Sequence, residues 1–339
     1  MYLKKIIFFT AVLLFLICTS SNLYSQNKYS PKYKTLAHEI ISKEPELVSK
    51  DQAYRKLDIL IDNARKVLKK REKYRRWQTE EIFKTIYMDL LNQGYDYKSN
   101  DFLSYGLVNG KLDCDNYTLI YYAIAQVIGF PIYIVNLPKH TTLLWDTDGR
   151  HDPINKSNPV NEGDFYWETT LGEIRTDEKY ITTRRIEKSS INSGVFLNKV
   201  KNKNMYAVMH NYIATMHIES GEFDKALAEI SKAVELDSKF PEAFNNMGII
   251  YSNLNDIVSA VKSYDKALSL HPNFTLAYIN KGIALQKSKD FHGAISLYTD
   301  ALSIESDFRP LYLMRSKLYK KVGLYDKALK DIETYESMK

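Results

Sequence analysis

The sequence predicts a chain in two folded parts, an α+β domain followed by an all-α array of repeated helix pairs. Two observations carry this expectation. Between residues 113 and 170, a helical pattern gives way to three short strand patterns. From about residue 205 the strand patterns vanish, and alanines return every 34 residues at Ala226, Ala260, Ala294 and Ala328. The 339 residues suffice for two domains of ordinary size.

The first 25 residues are expected to stand outside the fold. Lys4 and Lys5 precede an apolar run of 13 residues from Ile6 to Cys18, short of the roughly 20 that a membrane-spanning helix needs. Small polar residues follow, and Ser25 precedes Gln26. This is the layout of an export signal. Residues 1–25 are therefore read as a signal peptide, 26–200 as the α+β domain and 201–339 as the repeats. The protein is expected in the periplasm or outside the cell, and membrane-anchored only if the signal stays uncleaved. No later apolar run approaches spanning length. Cleavage removes Cys18 and leaves Cys114 without a disulfide partner in its own chain. A lone thiol in an exported protein is either a reactive site or a buried, inert side chain.

The formal charge is +6, and part of it is local: Arg65 to Arg76 holds eight basic residues against Glu72. Such a stretch reads as the solvated end of a helix. Nothing in the remainder argues for nucleic acid. There is no Gly-rich phosphate loop and no zinc-ligand spacing, so no cofactor or metal is expected.

In chain order, Ala53, Leu57, Leu60, Ala64 and Leu68 recur at helical spacing, as do Ile82, Phe83, Ile86, Leu90 and Leu91. Gly94 supplies a left-handed stop. Residues 113–128 form an amphipathic helix closed by Gly129 and Pro131. The β-branched and aromatic run 132–135 is a strand, 140–145 a second, and 165–170 a third beyond a polar loop. The order predicts helices packed on an antiparallel sheet.

The repeat has several columns at one period. Ala233, Ala267 and Ala301 keep it, as do Phe240, Phe274 and Phe308, while Gly248 and Gly282 align with Ala214 and Ser316. Small residues let paired helices approach closely. The turns hold Gly221, Asn255, Lys289 and Gly323, of which Lys289 suits a left-handed backbone least. This pattern resembles the tetratricopeptide repeat. The resemblance implies four helix pairs in a superhelix with a groove for a protein or peptide partner.

The candidate chemistry centres on Cys114. It opens the 113–128 helix, where unpaired backbone N–H groups favour a thiolate. A nucleophilic thiol also needs a histidine in reach and an acid to orient it. His140 starts the second strand and Glu168 lies on the third, inside an apolar run where an isolated carboxylate is unfavourable. Asp146 and Asp148 are rivals for the acid, His151 is an alternative histidine, and Asn109 offers a side-chain donor upstream.

The stretches GKLDCDNYTLIYYAIAQVIGFPIYIV, NLPKHTTLLW and FYWETT resemble the transglutaminase-like, papain-related superfamily, in its bacterial branch joined to tetratricopeptide repeats. That resemblance implies Cys114 as nucleophile, His140 as general base, Glu168 as orienting acid and the Cys114 N–H as an oxyanion donor. The sequence departs from it in using Glu in place of Asp and in the 28-residue gap from His140 to Glu168. The implied activity is thiol chemistry on an amide or acyl group of a protein or peptide. The competing expectation is a non-catalytic interaction protein in which the same core is only a scaffold.

Overall fold

The computed structural model describes residues 29–338, apart from 69–82, 98–101, 147–164, 169–172 and the single positions 85, 89, 93, 139, 176 and 198. The proposed signal segment, Asp148 and His151 lie outside the described residues.

The N-terminal part begins with a helical layer: α1 (Leu36–Lys43), α2 (Lys50–Leu68), helical residues within 83–92, α3 (Leu103–Asn109) and α4 (Cys114–Ile128). The helical period of Ala53, Leu57, Leu60 and Ala64 is what buries them together in one core. Helix α4 starts where it does because Asp113, extended, accepts the Asn116 N–H at 2.8 Å, a side-chain N-cap. It stops at Gly129, whose φ of 84° is left-handed. Two-residue strands β1 (Asp96–Tyr97) and β2 (Lys111–Leu112) pair in parallel. They are too short to leave a period in the sequence.

The main sheet is antiparallel in the order β3 (Ile132–Leu137), β4 (His140–Trp145), β5 (Phe165–Glu168), β6 (Glu173–Arg175). The first three match the expected strands. Strand β6 was not expected: three residues of mixed type carry no alternation. Alternate residues face opposite sides. Ile132, Ile134, Leu143 and Trp167 face the helical layer, where Trp167 stacks on Phe83 at 5.3 Å. Val135, Leu137, Leu144 and Tyr166 face away and are covered by Ile186, Ile191, Phe196 and a repeat residue, Leu270. The free edge of β3 is taken up by the chain at 197–200, with Leu197 N–H on Asn136 O at 2.9 Å and Val200 N–H on Ile134 O at 2.7 Å. Short helices α5 (Asp177–Thr183) and α6 (Lys188–Asn192) lead to this segment.

The C-terminal part is four helix pairs: α7 (Asn202–Glu219) with α8 (Phe223–Leu236), α9 (Pro241–Asn253) with α10 (Ile257–Leu270), α11 (Thr275–Lys287) with α12 (Phe291–Ile304), and α13 (Arg309–Lys321) with α14 (Tyr325–Ser337). The alanines of both columns are fully buried. The glycine column has a steric cause. A Cβ on Gly248 would stand 2.6 Å from the Tyr264 ring, and one on Gly282 would stand 2.5 Å from Tyr298. All four turn residues are left-handed, including Lys289 at φ 67°. The first helices of successive pairs pack on one another, α7 on α9 and α9 on α11, and so line one face of the array.

Candidate functional site

Strand register brings the histidine and the acid together. Leu143 pairs with Trp167 and Leu144 with Tyr166. One step further sets Glu168 opposite Thr142, two residues along the same face from His140. Such diagonal neighbours are within reach of long side chains. The His140 Nε2 indeed lies 2.8 Å from Glu168 Oε1 and 2.9 Å from Oε2, with both residues buried. Asp146 instead forms an ion pair with Lys199. Asn109, expected as a possible donor to the site, gives its amide to Tyr105 O at 3.0 Å on its own helix. It is not part of the cluster.

Cys114 opens α4 beside the start of β4 and lines, with His140, a cavity of about 310 Å³. Its thiol does not have the environment the helix start alone suggests. Burial is the largest influence and pushes the thiol up, and the carboxylates of Asp115 and Asp113 push it the same way. A hydrogen bond from the Thr141 backbone N–H works against them, and Glu168 adds to the upward push. Desolvation and three nearby carboxylates thus push the Cys114 thiol up, opposite to the direction expected from the N–H groups of the helix start.

Asp115 is the residue that sequence reading missed. Its Oδ1 accepts the Thr141 hydroxyl at 2.6 Å, and the Cys114 thiol approaches the same oxygen at 3.8 Å. Its Oδ2 accepts the hydroxyl of Tyr212 at 2.7 Å, which also lies 3.3 Å from Asp113 Oδ2. Tyr212 belongs to α7, in the first repeat. The cavity wall is thus built by both parts of the chain, with Asn211, Phe240, Pro241 and Glu242 of the repeats opposite the core residues.

A second depression, of about 470 Å³, runs over the first helices of three repeats. Asn211, Asn245 and Asn246 line it, and their amides bond to one another and to a further asparagine. Asn246 Nδ2 donates to Asn211 Oδ1 at 2.9 Å, and Asn280 Nδ2 donates to Asn245 Oδ1 at 3.0 Å. Asn246 Nδ2 also donates to Thr215 Oγ1, and Asn246 Oδ1 accepts from Asn245 Nδ2, both at 3.4 Å; each amide oxygen has two acceptor sites. Among the described residues no group of three or more His, Cys, Asp and Glu is placed to hold a metal ion, and no helix is long and apolar enough to cross a membrane.

Two tetratricopeptide repeat family models match the chain, one over residues 241–274 and one over 215–255. Among solved structures, MamA is 21% identical with a TM-score of 0.37, over 39% of this chain and 77% of its own. BtubC (BKLC) from P. vanneervenii is 17% identical with a TM-score of 0.39, over 42% of this chain and 66% of its own. The first TPR of Spaghetti (RPAP3), bound to the HSP90 peptide SRMEEVD, is 19% identical with a TM-score of 0.34, over 35% of this chain and 95% of its own. No curated protein matches. The family models fall on α7 to α10, and the match over 241–274 is one 34-residue period of the alanine columns long. The C-terminal part of the chain, from α7 to α14, is an all-α superhelix like that of tetratricopeptide repeats, with repeats matched by family models at 215–274.

Proposed function

We propose that this chain is a protein-interaction protein whose repeat groove holds an extended segment of a partner polypeptide. The observation that carries this is the set of asparagine amides on the first helices, Asn211, Asn245 and Asn246, that line a groove of about 470 Å³. An extended chain exposes unpaired backbone N–H and C=O groups, and side-chain amides supply both a donor and an acceptor to satisfy them. The test is a peptide selected against the full chain from a displayed random library. Asn246→Ala or Asn245→Ala should weaken its binding by about tenfold, equivalent to about 1.4 kcal/mol for lost hydrogen bonds. Undiminished binding in both variants would rule the groove out.

A second reading is favoured by the buried His140–Glu168 pair beside Cys114. In it the core, transglutaminase-like by resemblance, acts on an acyl group. In this reading His140 removes the thiol proton as sulfur attacks the acyl carbon, and Glu168 holds the imidazole and stabilises its charge. The Cys114 backbone N–H at the helix start is the oxyanion donor in this reading. Incubation with p-nitrophenyl acetate should leave an acetyl group on Cys114, detectable by intact mass. The adduct should be absent in Cys114→Ala and slower to form in His140→Ala. A wild-type protein that never acquires it supports the scaffold reading instead. The export signal belongs to the same proposal. A mature N-terminus near Gln26 is expected, and an intact mass that retains Met1 would remove it.

A further inference from the structure

The groove and the cavity meet. Asn211, Tyr212 and Glu242 line both the 470 Å³ depression on the repeats and the 310 Å³ cavity at Cys114. Tyr212 stands at the boundary, its ring in the shared wall and its hydroxyl on Asp115. A chain lying along the groove is therefore led past Tyr212 to the thiol.

The charges along this path are mostly negative. The groove lining holds Glu219 and Glu242 and no Lys or Arg. The cavity adds Asp113 and Asp115, and the one Lys or Arg of its lining, Lys239, gives its ammonium to Ser193 O at 2.5 Å. The whole chain carries +6, so this face runs against the average. Asp113 and Asp115 are only 3% and 9% exposed. Carboxylates in walls poorly reached by water project their field into the enclosed space. The same field acts on the Cys114 thiol, which Asp115 and Asp113 push up.

We propose that groove and cavity form one continuous channel for a basic, extended polypeptide segment, with its cationic side chains against Glu219 and Glu242 and its leading end at Cys114. The proposal rests on the groove-binding reading above and adds to it the charge of the partner and the route to the thiol. Three first helices side by side span roughly 20–25 Å at ordinary helix spacing, which is about seven residues of extended chain. Arginine serves the charge role as well as lysine, because what the walls select is a cation.

The experiment uses the full chain and three fluorescein-labelled twelve-residue peptides of Gly and Ser. One carries three Arg, one three Gln and one three Glu, and each has an N-terminal chloroacetyl group. The Arg peptide should bind tightest, roughly fivefold or more above the Gln peptide, with the Glu peptide weakest. The gap should shrink with added salt. Glu219→Lys should abolish the preference, and Glu219→Gln, which keeps the side chain's shape, should reduce it. The bound Arg peptide should alkylate Cys114 faster than chloroacetamide at the same concentration, and Cys114→Ala should form no adduct. Equal binding of the three peptides, still sensitive to Asn246→Ala, would overturn the charge preference and leave the groove reading intact. Binding without faster alkylation would overturn the continuous channel. Binding indifferent to both Glu219→Lys and Asn246→Ala would overturn the groove reading itself. Thermal melts of each variant establish that it is folded.

Discussion

Asp115 occupies the second position of α4 and takes three approaches at once, from Thr141, Tyr212 and the Cys114 thiol. Its charge is a main reason, after burial, that the thiol is pushed up. Asp115→Asn keeps the shape and removes that charge, so Cys114 in folded protein should react with iodoacetamide several-fold faster near pH 8, as read by mass spectrometry. An unchanged rate would mean that burial alone sets the thiol. The stability consequence has a definite sign. A cysteine raised in the folded state contributes stability that is fully present below the unfolded value of about 8.5 and is lost as pH rises toward the folded value. Cys114→Ser should therefore lose less stability between pH 8.5 and 10 than the wild type does, by denaturant titration. At this scale the places of Cys114, His140 and Glu168 in the fold were legible, because a helix start, a strand start and an acid in an apolar run each stand out alone. Asp115 and Tyr212 were not, because their meeting depends on how the repeats dock. One trace was present: Asn246 and Asn280 share a column, and Tyr212 breaks it.

Among the elements, the helix pairs show two distinct uses of special residues. Gly248 and Gly282 are helical and are required by neighbours: each leaves room for a tyrosine ring of its partner helix. Gly248→Ala should destabilise by about 1–3 kcal/mol through overpacking, and Gly248→Ala combined with Tyr264→Leu should recover part of the loss. A melting temperature unaffected by Gly248→Ala would contradict the contact. At the turns the requirement is backbone conformation. Gly221 has open space around it yet a φ of 72°, and Lys289 takes φ 67° where its column also accepts Asn255. A left-handed non-glycine residue costs roughly 1–2 kcal/mol, less for Asn. Lys289→Asn should therefore raise stability by up to about 1 kcal/mol, measured by denaturant titration. The sequence revealed these turns through their period, which made Lys289 look like a poor fit. The structure nonetheless places it in the left-handed region with the other three turn residues. Strand β6 and the β1–β2 pair escaped notice because two or three residues cannot display an alternation.

Over the whole molecule, the two parts are joined by buried contacts rather than by a loose linker. Leu270 of the second repeat packs into the cluster on the far face of the sheet, and the Ser190 hydroxyl donates to its carbonyl at 2.8 Å. An exposed contact, Arg185 to the Ile304 carbonyl at 2.7 Å, and a half-buried one, Tyr212 to Asp115, add to these. All three tryptophans, Trp77, Trp145 and Trp167, lie in the N-terminal part. Their fluorescence should therefore fall at the same temperature as the far-ultraviolet helix signal, which the repeats dominate. Leu270→Ala leaves a cavity in the shared cluster, costs about 2–5 kcal/mol and should lower both transitions together. Two transitions separated in the wild type would contradict a common core. The period of the repeats and the strands of the core were both legible one at a time. The docking between them was not, since a leucine that covers a repeat and a leucine that covers a sheet look alike in sequence. Hydrogen exchange of the full chain, with and without a bound groove peptide, tests most directly whether partner binding and the Cys114 site share one surface. Slowed exchange is expected in 202–219, 241–253 and 275–287, and in the first turn of α4 at 114–118. Protection confined to the second helices, 223–236 and 257–270, with none at 114–118, would contradict it.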